Sequence, residues 1–242
     1  MSELEIFIFS LFSSTVAPIL GIGGGTLNVP FLTLYIGIAF PAAVTASLLA
    51  GVCMSISASF RNIRTGKAYV GTAFRLLPPI MLGAAISAYI PIESNLLFLL
   101  FSVFMFVIVY LMHTSKKGKF KIKNKFVFYP VLFVIGIVSG LLGIGGGVIL
   151  VPLLMLTQDL GIRRSVATSS FMLMFEMFAG FLSHLSHGDL DPAVALPLAV
   201  PALFMGYAGA YLMTERIERK TLRNIISVYL LFVALMMGVK AF

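Results

Sequence analysis

The chain of 242 residues is 60% hydrophobic, only 11% charged, and carries a net charge of +8, against roughly 45–50% apolar and about 25% charged residues in a soluble domain. A water-soluble core cannot absorb that much apolar surface, so a soluble globular fold is excluded and most of the chain belongs in a bilayer. The positive charge lies in connectors rather than along a helix face interleaved with aromatics, which excludes a nucleic-acid partner.

In chain order, the first half reads as five apolar segments: Leu4 to Leu20, Leu27 to Ile38, Pro41 to Phe60, Val70 to Ile90 and Asn95 to His113. A connector, 114–125, follows and carries Lys116, Lys117, Lys119, Lys121, Lys123 and Lys125. The second half gives Phe126 to Leu142, Val148 to Thr157, Ser165 to His184, Pro192 to Met213 and Leu222 to Phe242. Three regions result: a membrane repeat over 1–113, the basic connector, and a second membrane repeat over 126–242. Met1 to Glu5 lacks the positive residues that open a leader, so no cleaved signal peptide is expected. Cys53 is the only cysteine, which rules out a disulfide or a thiolate metal cage within the chain. It is expected to be buried and inert.

A shift of 122 positions superimposes Gly21-Ile22-Gly23-Gly24-Gly25 on Gly143-Ile144-Gly145-Gly146-Gly147, and Val29-Pro30 on Val151-Pro152, without a gap. The same shift pairs Val44 with Val166, Ser47 with Ser169, Gly66 with Gly188, Pro79 with Pro201 and Tyr89 with Tyr211. One constant offset over this length indicates duplication. The second segment of each half has only ten to twelve residues, reaching roughly half of the ~30 Å hydrocarbon layer. With a glycine break before it, each is expected to form a broken helix or a re-entrant hairpin with the segment before it.

Charge sets the relative direction of the halves. The region with Arg61, Arg64, Lys67 and Arg75 is basic, while its shifted equivalent holds Asp189 and Asp191 with His184 and His187. The Glu93 turn is acidic, while its equivalent holds Arg216, Arg219, Lys220 and Arg223 against Glu215 and Glu218. Glu3 and Glu5 precede the first half and the lysine-rich connector precedes the second. By the positive-inside rule all three comparisons predict an inverted repeat, with both termini outside and the connector cytoplasmic. Contact of the basic loops with anionic lipid is a further expectation. The expected fold class is an all-α polytopic membrane protein of two inverted repeats, each with a short Gly-broken element and three full spans, about eight to ten helical segments in all.

Interrupted helices at matching positions of an inverted duplication are the sequence pointer to a secondary transporter with a midplane site. Gly23, Gly24, Gly25, Gly145, Gly146 and Gly147 can take positive φ and bare their amides, and short helices starting near Thr26 and Val148 offer positive dipole ends. Such a site suits an anion. Close helix packing is the alternative, since Gly21 and Gly25, Gly136 and Gly140, and Gly143 and Gly147 all have GxxxG spacing. No Lys-Ser or Lys-Thr follows the glycines, which excludes a phosphate-binding P-loop.

The paired glycine loops, each followed by Val-Pro, in a chain of this size resemble the sulfite exporter TauE/SafE family, also called the toluene-sulfonate uptake permease family. The resemblance covers nearly the whole chain. It implies a permease of about eight helices in a bacterial inner membrane for sulfite, sulfoacetate, related sulfonates or another small anion, with the fold carrying over better than the solute.

Apart from Glu5 at the very start of the first segment, Glu176 is the sole acidic residue within an expected span, aligned with Met54. An intramembrane carboxylate is functional by default and a candidate for proton exchange; a protonated glutamate bonded between helices is the alternative. Thr45, Ser47, Thr168, Ser169 and Ser170 begin the helix after each short segment and can complete an anion shell, cap the helix or back-bond to the preceding turn. Asn28, whose counterpart is Leu150, is a further candidate ligand. His184 and His187 form an i, i+3 pair that suits a metal or haem on a helix, and otherwise belong to an interfacial loop. No cofactor is expected. A secondary transporter that accommodates a homo-oligomer is the leading reading; an anion channel, a membrane scaffold and an intramembrane metal- or haem-dependent enzyme are its competitors.

Overall fold

The computed structural model describes residues 2–90, 99, 102–103, 106, 110, 125–158, 160–187 and 190–240. The expected segment Asn95 to His113, apart from five of its positions, lies outside these residues, as do Glu93, Gly188, Asp189 and nearly all of the connector.

Among the described residues there are nine α-helices: α1 (Ser2–Leu20), α2 (Gly25–Pro30), α3 (Phe40–Arg64), α4 (Val70–Ile86), α5 (Lys125–Leu142), α6 (Gly147–Thr157), α7 (Ile162–Leu185), α8 (Pro192–Tyr211) and α9 (Arg219–Lys240). A π-helical turn, Phe31–Tyr35, prolongs α2, and another, Leu212–Arg216, prolongs α8. Helix starts at Gly25, Phe40 and Val70 recur at Gly147, Ile162 and Pro192, each 122 residues on. The duplication is therefore written in the elements themselves. Five helical stretches are long and apolar enough to cross a membrane, the chain being an all-α polytopic membrane protein.

Both long central helices run past their expected ends. Arg61 and Arg64 complete the last turn of α3 instead of lying in a loop, and Arg163 and Arg164 fall in the first turn of α7. Helices need not stop at the hydrocarbon boundary, and at a C-terminus arginines complement the dipole.

Contacts at the helix ends fix the directions. Arg61 reaches Thr214 at 3.5 Å and Glu215 at 3.4 Å beyond the end of α8. The turn after α3 shares one cavity, through Thr65, Gly66 and Lys67, with Gly161, Arg163 and Arg164 at the start of α7. Thus α3 ends where α7 begins. These repeat mates are antiparallel, so the duplication is inverted. With 25 residues, α3 is roughly 37 Å long and places Phe40 at the opposite face of the molecule.

The short elements are re-entrant. The start of α1 lies beside the start of α8, where Glu3, Leu4 and Phe7 line one cavity with Pro192, Ala193 and Leu196. Because α8 ends at the arginine-rich face, α1 enters from the other one. Phe31, past α2, stacks on Phe9 with ring centroids 3.8 Å apart, and the chain then continues to Phe40 at the face from which α1 came. In the second half α5 runs beside and parallel to α4: Gly136 lies against the Ile80 carbonyl and Gly140 against Ser87. Since Tyr69, just before α4, takes a hydrogen bond from Arg164, both helices start at the arginine face. Through α6 the chain returns there to Gly161. The two hairpins enter from opposite sides, which decides between the alternatives of broken span and re-entrant loop.

Packing of α4 on α5 depends on missing side chains, because a Cβ at Gly83 or Gly136 would strike a carbonyl of the facing helix. The GxxxG reading of Gly136 and Gly140 is correct there. Gly136→Ala is expected to lower stability by on the order of 1–3 kcal/mol, the usual cost of overpacking. Thermal unfolding in detergent measures it, and an unchanged midpoint would contradict this crossing.

Candidate functional site

Each hairpin turns through a helix cap. Gly21 has φ +70° and Gly143 φ +63°. Around them the amides of Gly21 and Ile22 donate to Pro18 and Ala17, and those of Gly143 and Ile144 donate to Gly140 and Ser139. This is the Schellman arrangement that ends a helix with a left-handed residue. Positive φ was expected at Gly23 to Gly25 and Gly145 to Gly147, but within those triplets only Gly145 has it, at +70°. The reversal is made one step earlier, and Gly24 and Gly146 are already helical.

What the triplets provide is contact. A Cβ on Gly23 would lie 2.9 Å from the Gly145 Cα, and one on Gly145 3.0 Å from the Gly23 Cα. Since these two residues are repeat mates, a pseudo-two-fold axis passes between them. The neighbours obey it: Gly25 abuts the Gly143 carbonyl and Gly147 the Gly21 carbonyl. Ser47 donates to the Gly143 carbonyl at 3.3 Å, and Ser169 donates to the Gly21 carbonyl at 3.0 Å. Each central helix thereby holds the hairpin of the other half. Residues 21–26 and 143–147 are buried throughout, so the crossing is closed.

The two sides of the axis differ in chemistry. Glu176, on α7 and 1% exposed, is the only buried carboxylate among the described residues. One of its oxygens accepts a 2.9 Å hydrogen bond from the amide of Gly146, at the N-terminal end of α6. The Ser139 hydroxyl also bonds this carboxyl group, whose second oxygen is otherwise buried without a partner among the described residues. At the equivalent place in the first half Gly24 faces Met54 and the Asn28 amide nitrogen, while the Asn28 carbonyl oxygen is buried without a partner among the described residues. One amide site is thus filled by a carboxyl group of the protein itself, and its twin is bordered by a carboxamide.

The remaining candidates separate. Thr26 donates to the Gly23 carbonyl at 3.3 Å. Thr168 accepts from the amide of Tyr69 at 3.0 Å, helping to seat the start of α4. Thr45 and Ser170 back-bond to carbonyls four residues earlier. His184, expected at a membrane edge, is buried in the last turn of α7 with Nε2 3.0 Å from the Gly140 carbonyl. His187 lies with Nδ1 3.1 Å from the Ser183 carbonyl and its ring against Tyr89. No cluster of three metal-ligating side chains occurs among the described residues. Cys53 is half-buried. Sequence reading passed over Ser55, Ser59 and Asn62, although polar residues spaced by four and three within an apolar helix are a visible signal.

The model of the family described as sulfite exporter TauE/SafE matches residues 6–237. The chain belongs to that family. Among curated proteins, this TauE/SafE chain is 26% identical to the "Probable membrane transporter protein YunE" of Bacillus subtilis, covering 96% of both chains. It is 25% identical to the "Probable membrane transporter protein MJ0441" of Methanocaldococcus jannaschii, covering 92% of this chain and 90% of that one. No solved structure matches. As a TauE/SafE member the chain is a multi-pass membrane transporter.

The contacts rank substitutions at the crossing of this transporter. A Cβ on Gly24 would meet only the ends of Asn28, at 3.1 Å, and Met54, at 3.8 Å, whereas one on Gly25 would overlap the Gly143 carbonyl. Gly24→Ala is expected to stay monodisperse in detergent with stability within about 1 kcal/mol of wild type, and Gly25→Ala to lose stability by more than about 3 kcal/mol, given the usual range for overpacking. Size exclusion with thermal unfolding tests this ranking, and equal behaviour of the two variants would refute it.

Proposed function

We propose that this transporter is a secondary carrier for a small anion, sulfite or a sulfonate by class, and that the solute binds where the two glycine hairpins meet. The observation that carries the reading is the buried amide of Gly146 paired with the Glu176 carboxylate. A helix end that already holds one carboxylate is built to hold a negative group.

Transport follows from opening that contact. In the closed arrangement the hydroxyls of Ser47 and Ser169 are committed to carbonyls of the opposite hairpin. Parting of the hairpins releases both hydroxyls and exposes Gly23 to Thr26, Asn28 and Gly145 to Gly147 as the shell for the solute, with Thr168 at its edge. Protonation of Glu176 frees the Gly146 amide, so a proton and the anion exchange at one site. Because the halves are inverted, interchanging their two conformations turns an inward opening into an outward one.

Sidedness follows from charge. Arg61, Arg64, Lys67, Arg163, Arg164 and Arg216 gather at one face, and Glu3, Glu5 and Asp191 at the other. Under the positive-inside rule the first face is cytoplasmic, which puts both termini outside an inner membrane and the connector 114–125 inside. Repeats over 1–113 and 126–242 act as the two halves, in a monomer or a homo-oligomer. An enzyme using His184 and His187 finds no support, since both rings are engaged by backbone carbonyls.

Proteoliposomes loaded with sulfite, short alkanesulfonates or carboxylates test this directly. Saturable flux that responds to a proton gradient is expected for at least one sulfur oxyanion. Gly24→Leu, whose Cβ meets only the ends of Asn28 and Met54, should remove flux, with size exclusion and thermal unfolding showing that the variant is folded. Glu176→Gln, which retains an oxygen for the Gly146 amide, should flatten the pH profile. Unsaturable flux would favour a channel, and an unaltered profile in Glu176→Gln would remove this residue as the proton site.

A further inference from the structure

Resting on the reading that the chain carries an anion, we propose that Ser55, Ser59 and Asn62 of α3 line a hydrated half-path for an oxyanion, leading from a basic cavity at the arginine face towards the glycine crossing. Their spacing of four and three puts them on one side of α3. Ser47 and Gly51, on the same side, touch the Gly143 carbonyl and Met177 of α7. The row therefore runs along the interface of the two central helices, beginning one turn beyond Gly51.

Burial without partners is the central observation. Ser55 is 1% exposed, Ser59 2% and Asn62 0%. Neither serine hydroxyl has a hydrogen-bond partner among the described residues, nor has the oxygen or the nitrogen of the Asn62 carboxamide. Each orphaned group costs roughly 1–3 kcal/mol unless water or solute meets it. Four such atoms along two turns of one helix mark a wet passage.

The repeat supplies the control. Adding 122 to Ser55, Ser59 and Asn62 gives Met177, Phe181 and His184. Two of these are apolar, and the third is bonded to the Gly140 carbonyl. At these paired positions the orphaned polar groups lie on the half between the crossing and the arginine face, while on the other half Met177 and Phe181 fill the space and Ser183 is the one hydroxyl buried without a partner among the described residues of α7.

The row ends at a cavity of about 570 Å³ lined by Thr65, Gly66, Lys67, Gly161, Arg163 and Arg164. Amides of Lys67 and Ala68 donate to the Asn62 carbonyl, which ties the rim to the end of the row. Arg163 and Arg164 sit in the first turn of α7, beside the positive end of its dipole, where cations are disfavoured for stability. Among the described residues the one ion pair, Arg61 with Glu215, involves none of the three cavity cations. A concentrated positive field at a mouth recruits anions.

The test uses purified full-length protein in detergent with Cys53→Ala as background, so that sidedness does not enter. Single cysteines at Ser55, Ser59 and Asn62 are compared with cysteines at Met177 and Phe181, using an anionic methanethiosulfonate, the 2-sulfonatoethyl reagent, and a cationic one, the 2-trimethylammonioethyl reagent. Thr65→Cys, in the open cavity, shows that the reagents work. Modification of the α3 positions by the anionic reagent is expected to be about tenfold faster than at Met177 and Phe181, and to slow by a similar factor when Lys67→Gln and Arg164→Gln are added, with no slowing of the cationic reagent. Three independent positions decide if one variant is lost to misfolding. Equal rates in the two halves, or an anionic rate indifferent to the cavity cations, would overturn the path. Sulfite and sulfonate flux in proteoliposomes is scored separately: flux with a silent α3 row removes the path and keeps the carrier, whereas a labelled row without flux removes the carrier and keeps the path.

Discussion

Everything in this molecule converges on two peptide backbones in van der Waals contact. Gly23 and Gly145 lie face to face on the pseudo-two-fold axis, with no room for a methyl group on either. Backbone in lipid needs internal partners, so chain reversal deep in a membrane is tolerated only where protein covers it. Here each reversal covers the other. The Schellman caps satisfy the helix ends, the glycines let the turns touch, and Ser47 and Ser169 close the remaining carbonyls from the opposite half.

Symmetry builds this crossing, and departures from symmetry give it a chemistry. Glu176 stands where the first half has Met54, Asn28 where the second has Leu150, and Asn62 where it has His184. A strictly two-fold crossing would have the same side chains on both amides. With a carboxyl group on one amide only, the two hairpins are held by unequal contacts. The polar row of Ser55, Ser59 and Asn62 on α3 likewise has no polar match at Met177 and Phe181.

Much of the fold was legible in the chain. The offset of 122 placed the elements, because a duplicated sequence must reuse its turns and caps, and helix starts at Phe40 and Ile162 fell within a few residues of expectation. Loop charge foretold inversion, since lipid selects against buried arginine whatever the packing. The site was legible in part. That glycine triplets would meet was implied by their pairing, but whether they bare their amides or pack on each other depends on which atoms of the other half fill the space. The roles of Ser47 and Ser169 were hidden for the same reason: their partners are 96 and 148 residues away in sequence. Arg163 and Arg164 fell outside the expected segment Ser165 to His184 because apolar run length, not helix length, defined it.

The exchanged hydroxyl bonds also bear on how the protein is made. Ser169 holds the turn at Gly21, so the first hairpin lacks a tether until more than half of the chain has been synthesised. During that interval its glycine turn is a polar loop without the partner that shields it from lipid. Insertion of the first half is accordingly a provisional state, completed only when the second hairpin packs against the first.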